Sequence, residues 1–436
     1  MKKNYSLFTI FLSLALYISS VTAFAQATFT NGVFVLNEGG FGLNNASVSF
    51  IAQDGTLQNN IFATVNPTQG SLGDTAQSIA INGDYLYVVN NGSEDIKVVN
   101  ATTFQYVATI TNGVAFPRYI AFYDGKAYVT NWGNGGPNDH YVAVYNLADN
   151  TLITTIPTGP GIERILEING KLYVAHQGGF GFGNSISIIN PTTSTVTATI
   201  NVADVPNSMI VKDDFLYVLC GGIPSWAQAP ITETFGALLK INLTTDMVVS
   251  QIDLPNMHPS NLKIDGNDMY YSVDSHIFKT TVGTTTLPAT PVIDLEPQGV
   301  YGIYGLDIID SKIYVGDALG YITDGKTYVY ATPSATPAAY TVGFLPNAFI
   351  KSKTGPLSTG DFTKKAISIY PNPASDVFFL ATDKEAKINL YDISGRLVST
   401  QNYTSKGVDV SSLNAGIYLA EIIIDEAREV QKIIIK

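Results

Sequence analysis

Across residues 77–315 the chain repeats one unit six times: an apolar strand, a polar turn and a second strand closing on tyrosine. The units read QSIAINGDYLYV, RYIAFYDGKAYV, ERILEINGKLYV, NSMIVKDDFLYV, SNLKIDGNDMYY and YGLDIIDSKIYV. Their tyrosines, Tyr87, Tyr128, Tyr173, Tyr217, Tyr270 and Tyr314, stand 41, 45, 44, 53 and 44 residues apart. That is the period of a four-stranded propeller blade. One such unit cannot bury its own apolar face, so the repeats must stack and share a core.

After each tyrosine comes a loop rich in glycine, asparagine and aromatic residues, then a third and a fourth strand, clearest at 96–99 and 106–110, 142–145 and 152–156, and 185–189 and 196–200. Alternating β-branched and polar residues bounded by Asn, Asp and Gly mark strands, and no stretch shows convincing helical periodicity. Upstream lies an incomplete unit, with strands expected at 33–36, 46–51 and 61–65 and no inner strand before them. The missing strand is expected at the far end, where PNAFI at Pro346 matches the openings at Pro117 and Pro206. The reading is all-β: a seven-bladed β-propeller, closed by pairing its two ends, followed by a small C-terminal β-sandwich. Closure removes the unpaired end blade.

Two flanking segments concern export. Lys2 and Lys3, the apolar run at 7–18 and the small residues around Ala23 and Ala25 read as a signal peptide over 1–25. The run is too short for a durable membrane anchor, so no integral membrane segment is expected after processing. The single cysteine, Cys220, leaves no lipobox cysteine at the processing site and no internal disulfide. The propeller then spans 26–351, a linker rich in Lys, Ser, Thr, Gly and Pro spans 352–365, and short strands fill 366–436.

Within that last segment Tyr370-Pro371-Asn372-Pro373, Leu390-Tyr391-Asp392 with Gly395-Arg396, Leu413 with Gly416-Ile417-Tyr418, and a terminal Lys-Ile-Ile-Ile-Lys follow one another. In order and spacing they resemble the type A C-terminal sorting domain of the type IX secretion system. The resemblance implies recognition by that secretion machinery and release from, or attachment to, the outer surface of a Gram-negative cell. The repeated Leu-Tyr-Val, Tyr128-Val129-Thr130-Asn131, and Leu36-Asn37-Glu38-Gly39 followed by Phe41-Gly42 resemble YVTN-type and related cell-surface bacterial propellers. Members of that wider group include proteins that capture corrinoids, and another propeller group contains metal-dependent lyases.

The chain carries a formal net charge of −12, all of it on the propeller and linker once the signal segment (+2) and residues 366–436 (−2) are set aside. Without a basic cluster it is a poor partner for nucleic acid or anionic membrane. Neutral or cationic ligands are easier to accommodate. Function is expected on the face where the loops between second and third strands and the links between blades emerge together. That face would carry Asn37, Glu38, Phe41, Asn91, Arg118, Trp132, His176, Phe182, Trp226, His258, His276 and Asp317 as a ligand-binding surface, with both tryptophans and all four histidines of the chain.

Three chemistries compete there. An aromatic-lined pocket could bind a small molecule, a glycan or a protein. A histidine tuned by a carboxylate could serve a lyase or hydrolase. A metal would need the histidines to converge, and no paired spacing such as His-x-x-x-His occurs. The glycine-rich loops at Gly39 and Gly178 lack the helix and the Lys-Ser or Lys-Thr pair of a phosphate loop, and no Gly-x-Ser-x-Gly elbow is present. The expectation is therefore a secreted or surface-displayed binding protein with no catalysis, metal or cofactor, its pocket mouth lined by Trp132, His176, Phe182, Trp226 and Asp317.

Overall fold

The computed structural model describes residues 28–134, 136, 139–179, 181–227, 231–355, 368–382, 384–424 and 427–436. The segment read as a signal peptide and positions 356–365 of the linker lie outside the described residues. The chain divides into two compact units, Met1–Gly355 and Pro356–Lys436.

The first unit holds seven four-stranded antiparallel sheets, six of them built in simple chain order. Blade 2 runs from Ala76–Asn82 to Tyr106–Ile110, blade 3 from Pro117–Tyr123 to Leu152–Pro157, and blade 4 from Ile162–Ile168 to Thr195–Asn201. Blade 5 runs from Pro206–Lys212 to Met247–Leu254, blade 6 from Ser260–Asp265 to Ile293–Asp294, and blade 7 from Ile303–Ile309 to Ala338–Thr341. Blade 1 is assembled from both ends of the repeat array. Its inner strand, Pro346–Lys351, pairs with Gly32–Asn37, which is followed outward by Ser47–Ala52 and Leu57–Gln58. The stretch expected as its outer strand is instead a helix, Ile61–Val65. Asn60, at φ 50°, turns the chain off the sheet, and Ile61 and Phe62 enter the same core cluster as Phe104.

Apolar clusters occupy every junction between neighbouring blades, including that of blade 7 with blade 1, where Ile309, Tyr314 and Val342 meet Val33, Val35 and Phe349. The repeated tyrosines are the constant part of this packing. Tyr87, Tyr128, Tyr173, Tyr217, Tyr270 and Tyr314 are all buried, each in the cluster shared with the following blade. A large ring at that position buries much apolar area while its hydroxyl can reach a polar partner, as Tyr173 does at 2.5 Å from Asp246 Oδ1. The periodicity that announces the fold is thus the periodicity of the blade-to-blade interface.

The second unit has a three-stranded sheet (Ile369–Tyr370, Val377–Leu380, Val408–Asp409) and a four-stranded one (Leu397–Tyr403, Ala386–Asp392, Gly416–Ile424, Ala427–Ile435) around one apolar core. Its motif residues are structural. Asn372 binds the final strand twice, donating to Lys432 O and accepting from Ile434 N–H, while Asp392 accepts from the Ser394 and Arg396 N–H groups and so closes the turn at Gly395.

Candidate functional site

Strand alternation decides which loop-face residues are available to a ligand. The second strands end on Asn37, Asn90, Asn131, His176, Cys220, Val273 and Asp317. All but Val273 are buried, and the polar ones staple the loop that follows or an adjoining strand. Asn37 donates to Ser47 and Ser49, Asn131 accepts from Ala115 N–H, His176 lies 2.8 Å from both Pro160 O and Ser187 Oγ, and Asp317 Oδ1 accepts from Leu319 N–H. Asn37, His176 and Asp317, expected on the binding surface, are therefore buried supports. The next position along points the other way; it carries Glu38, Asn91, Trp132 and Gln177, of which Asn91 is also buried, donating to Pro117 O.

The inner strands supply the counterpart. Each opens with a register shift against its neighbour, leaving an extra residue or pair at one place: Gln77, Arg118 with Tyr119, Glu163 with Arg164, Asn207, Asn261 with Leu262, Tyr304, and Asn347. A bulge re-aims side chains and strengthens local twist. Here it gathers polar groups at the mouth of the channel, where they bind blade to blade: Asn347 donates to Ala76 O, Arg164 Nε to Asn207 O, and Asn207 to Pro259 O.

Off this ring, over blades 3, 4 and 5, opens a cavity of ≈ 640 Å³ whose walls include Arg118, Trp132, Phe182, Asn207, Trp226 and His258. Arg118 and Glu163 form its floor. Glu163 is 3 % exposed and accepts from Arg118 Nε at 2.9 and 3.1 Å. The Arg118 guanidinium carbon lies 4.1 Å from the centroid of the Trp132 ring, whose Nε1–H donates to Ile162 O. Burial pushes the Glu163 carboxyl up, against the pull of Arg118. Burial also works against the Arg118 charge, but Glu163, with Tyr119 and Glu38, together more than offset this, so the guanidinium holds its proton more tightly than usual. At the rim Phe182 and Trp226 meet at 6.1 Å with a 54° tilt, and Trp226 is 76 % exposed. The glycine-rich loop carrying Phe182 needs its glycines for backbone contact: a Cβ on Gly178, at φ +139°, would lie 2.2 Å from Gly181 O.

Glu38 belongs elsewhere. It lines a second cavity, of ≈ 300 Å³, among inner-strand side chains such as Arg164, Lys263, Asp307 and Asn347. Burial pushes its carboxyl up, opposed by the Tyr304 hydroxyl that donates to it. Phe41 is exposed and lines neither cavity, and Phe180 lies outside the described residues. His276 meets Asp294 and Glu296 in a cluster on blade 6, with ligand-type atoms within 4.8 Å of one another, brought together by the pairing of His276 with Asp294 across two strands.

His258 lines the large cavity, with Nδ1 2.9 Å from Gly221 O and Nε2 3.2 Å from Glu233 Oε1. The Gly221 carbonyl and the Glu233 carboxylate thus fix the orientation of the ring in the cavity wall. His140 accepts from Gly161 N–H. Burial lowers the affinity of His140 and His176 for a proton. A histidine whose folded pKa is depressed contributes stability that is complete above its unfolded value of about 6.5 and is lost as pH falls through the folded value. His176→Asn installs the residue found at the equivalent end of blades 1, 2 and 3. Relative to this variant, the wild type should lose stability progressively below about pH 6.5 in urea titrations; a constant difference across that window would show that His176 is not buried neutral.

The sequence reading passed over Glu163 and Gln177. A usable signal was present. Arg118, Glu163, Asn207 and Asn347 occupy one column of the repeat, just after Pro117, Ile162, Pro206 and Pro346.

Fold and site together define a β-propeller with a ligand-sized cavity on its loop face and a secretion domain at its C-terminus. Residues 31–326 match the family described as a domain of unknown function, DUF5074, and the chain belongs to that family. Residues 368–436 match the secretion system C-terminal sorting domain, which makes this a protein secreted by the type IX route or attached to the outer cell surface. No curated protein matches the chain by sequence. Among solved structures it is similar to a quinonprotein alcohol dehydrogenase-like protein of Bacteroides thetaiotaomicron (TM-score 0.54, 14% identity, covering 74% of this chain and 79% of that one). It is also similar to a functionally unknown protein of Desulfotomaculum acetoxidans (0.52, 14%, 75% and 100%) and to the Pan2 WD40 domain of Neurospora crassa (0.50, 11%, 74% and 94%). At these identities the likeness concerns the fold alone. Among the described residues no helix is long and apolar enough to cross a membrane.

Proposed function

We propose that this is a cell-surface capture protein, of the YVTN-type suggested by its Leu-Tyr-Val repeats, that holds a small or medium-sized ligand in the off-axis cavity without changing it chemically. One observation carries the reading: Trp226, 76 % exposed, stands with Phe182 over a cavity floored by a buried, fixed ion pair. A large ring left in water at the rim of a concave site is the usual mark of a surface that acquires a partner. The reading without catalysis is supported by His176, which is enclosed between Pro160 O and Ser187 Oγ and does not line the cavity.

The test is a thermal-shift screen of wild type and Trp226→Ala against corrinoids, haem, neutral and acidic sugars, and divalent metals with an EDTA control. A ligand at about 100 times its Kd adds about 2.7 kcal/mol to the folded state. The expected result is a shift in the wild type that shrinks in the variant. A shift of equal size in both, or turnover of the ligand, would contradict the proposal.

A further inference from the structure

The large cavity offers a donor arrangement that restricts the kind of ligand it can take. Arg118 spends only Nε on the protein, and both of those bonds go to Glu163. Among the described residues its two terminal nitrogens donate to nothing, yet the guanidinium is held in orientation by Glu163 on one side and the Trp132 ring at 4.1 Å on another. A planar guanidinium fixed in this way presents a rigid fork to paired acceptors. Gln177, also in the wall, makes no side-chain hydrogen bond among the described residues and adds both a donor and an acceptor. Across the cavity, Phe182 and Trp226 supply two tilted ring faces.

Paired acceptors are found on carboxylates, phosphates and the vicinal hydroxyls of sugars, and charge separates the first two from the third. Glu163 already neutralises Arg118 at contact distance, and Glu38 and Arg164 within reach of the same pair oppose each other in charge. The propeller that surrounds them is strongly acidic. An anion docked on the fork would find its counter-charge already engaged by Glu163, so it would give up its hydration for little net attraction. A neutral polyol has no charge to desolvate. Its hydroxyl oxygens accept from the fork, its hydroxyl hydrogens can be taken by Gln177, and its C–H face can lie on an aromatic ring, whose face is electron-rich. A cavity of ≈ 640 Å³ has room for more than one sugar ring.

Building on the capture reading, we infer that the ligand is a neutral oligosaccharide, with one sugar ring on the Phe182–Trp226 shelf and vicinal hydroxyls on the Arg118 fork. Its charge balance sets this cavity against acidic glycans, so selectivity between neutral and uronic-acid sugars is a property of Arg118 and Glu163 together. The link to the extracellular surface is direct, because polysaccharides are polymers that a secreted protein can meet.

Isothermal titration of the full-length protein decides the matter, using neutral homo-oligosaccharides of hexose, pentose and N-acetylhexosamine and, beside them, trigalacturonate. The expected result is that at least one neutral series binds, with a Kd that changes less than about twofold between low and high salt, and that trigalacturonate binds at least about tenfold more weakly. Trp226→Ala, at an exposed position, and Arg118→Lys, which keeps the charge beside Glu163 but removes the fork, should each weaken binding by about tenfold or more. Preference for trigalacturonate, or no binding by any neutral series, overturns the inference. The capture reading has its own failure: a ligand from the wider screen that ignores Trp226→Ala sinks both, whereas a non-sugar ligand that needs Trp226 sinks only the glycan assignment.

Discussion

Glu163→Ala should destabilise the propeller by about 3–5 kcal/mol, the cost of stripping one partner from a buried ion pair and leaving the other charge without compensation. Glu163 is 3 % exposed, and the side chain of Arg118 is 14 % exposed. Urea unfolding should therefore show a lower midpoint at an unchanged slope. Arg118→Met combined with Glu163→Leu should recover most of the loss, because apolar replacements remove the desolvation cost of both charges. A loss below about 1 kcal/mol for the single variant would mean that the pair behaves like a screened surface contact. Since these residues join blades 3 and 4 and floor the cavity, the variant should also lose any ligand response seen in the wild type.

Removing the closing strand should have a still larger effect. A chain ending at Gly355 keeps Pro346–Lys351 against Gly32–Asn37, and its cooperative melt should match that of the propeller in the full-length protein. Ending the chain at Leu345 strips blade 1 of its inner strand, bares the backbone groups of Gly32–Asn37 and takes Phe349 out of the cluster it shares with Tyr314. Neighbouring clusters lose the wall they pack against. The shortened chain should lose its cooperative transition and elute as aggregate, since an exposed sheet edge pairs with other chains. A sharp, monomeric melt from it would show that six blades and a remnant suffice.

The fold was legible because the repeated tyrosines do one job at six of the seven blade junctions, and a job repeated with constant chemistry leaves a periodic mark. The closing strand was legible for the same reason, in the match of Pro346-Asn347 to Pro206-Asn207. The helix at Ile61–Val65 was not, because five residues hold too little periodicity to separate helix from strand, and Asn60 in the left-handed region is what turns the chain. The candidate site was half legible. Aromatics on the loop face could be named, and the structure brings Trp132, Phe182 and Trp226 around one cavity with Arg118 and His258. Asn37, His176 and Asp317 looked equally functional, yet a one-residue alternation turns them into the protein. Glu163 was invisible because its meaning lies in a partner 45 residues away.

The chain contains two tryptophans, Trp132 and Trp226, and both line the same cavity. Intrinsic tryptophan fluorescence therefore reports on that site and nowhere else. The most direct measurement is acrylamide quenching of this emission with and without the ligand that gives the largest thermal shift. Capture in the cavity predicts strong quenching of the free protein, dominated by the exposed Trp226, and clear protection once ligand is bound. A ligand that stabilises the fold while the quenching stays unchanged would place its binding elsewhere and contradict the assignment of this cavity as the site.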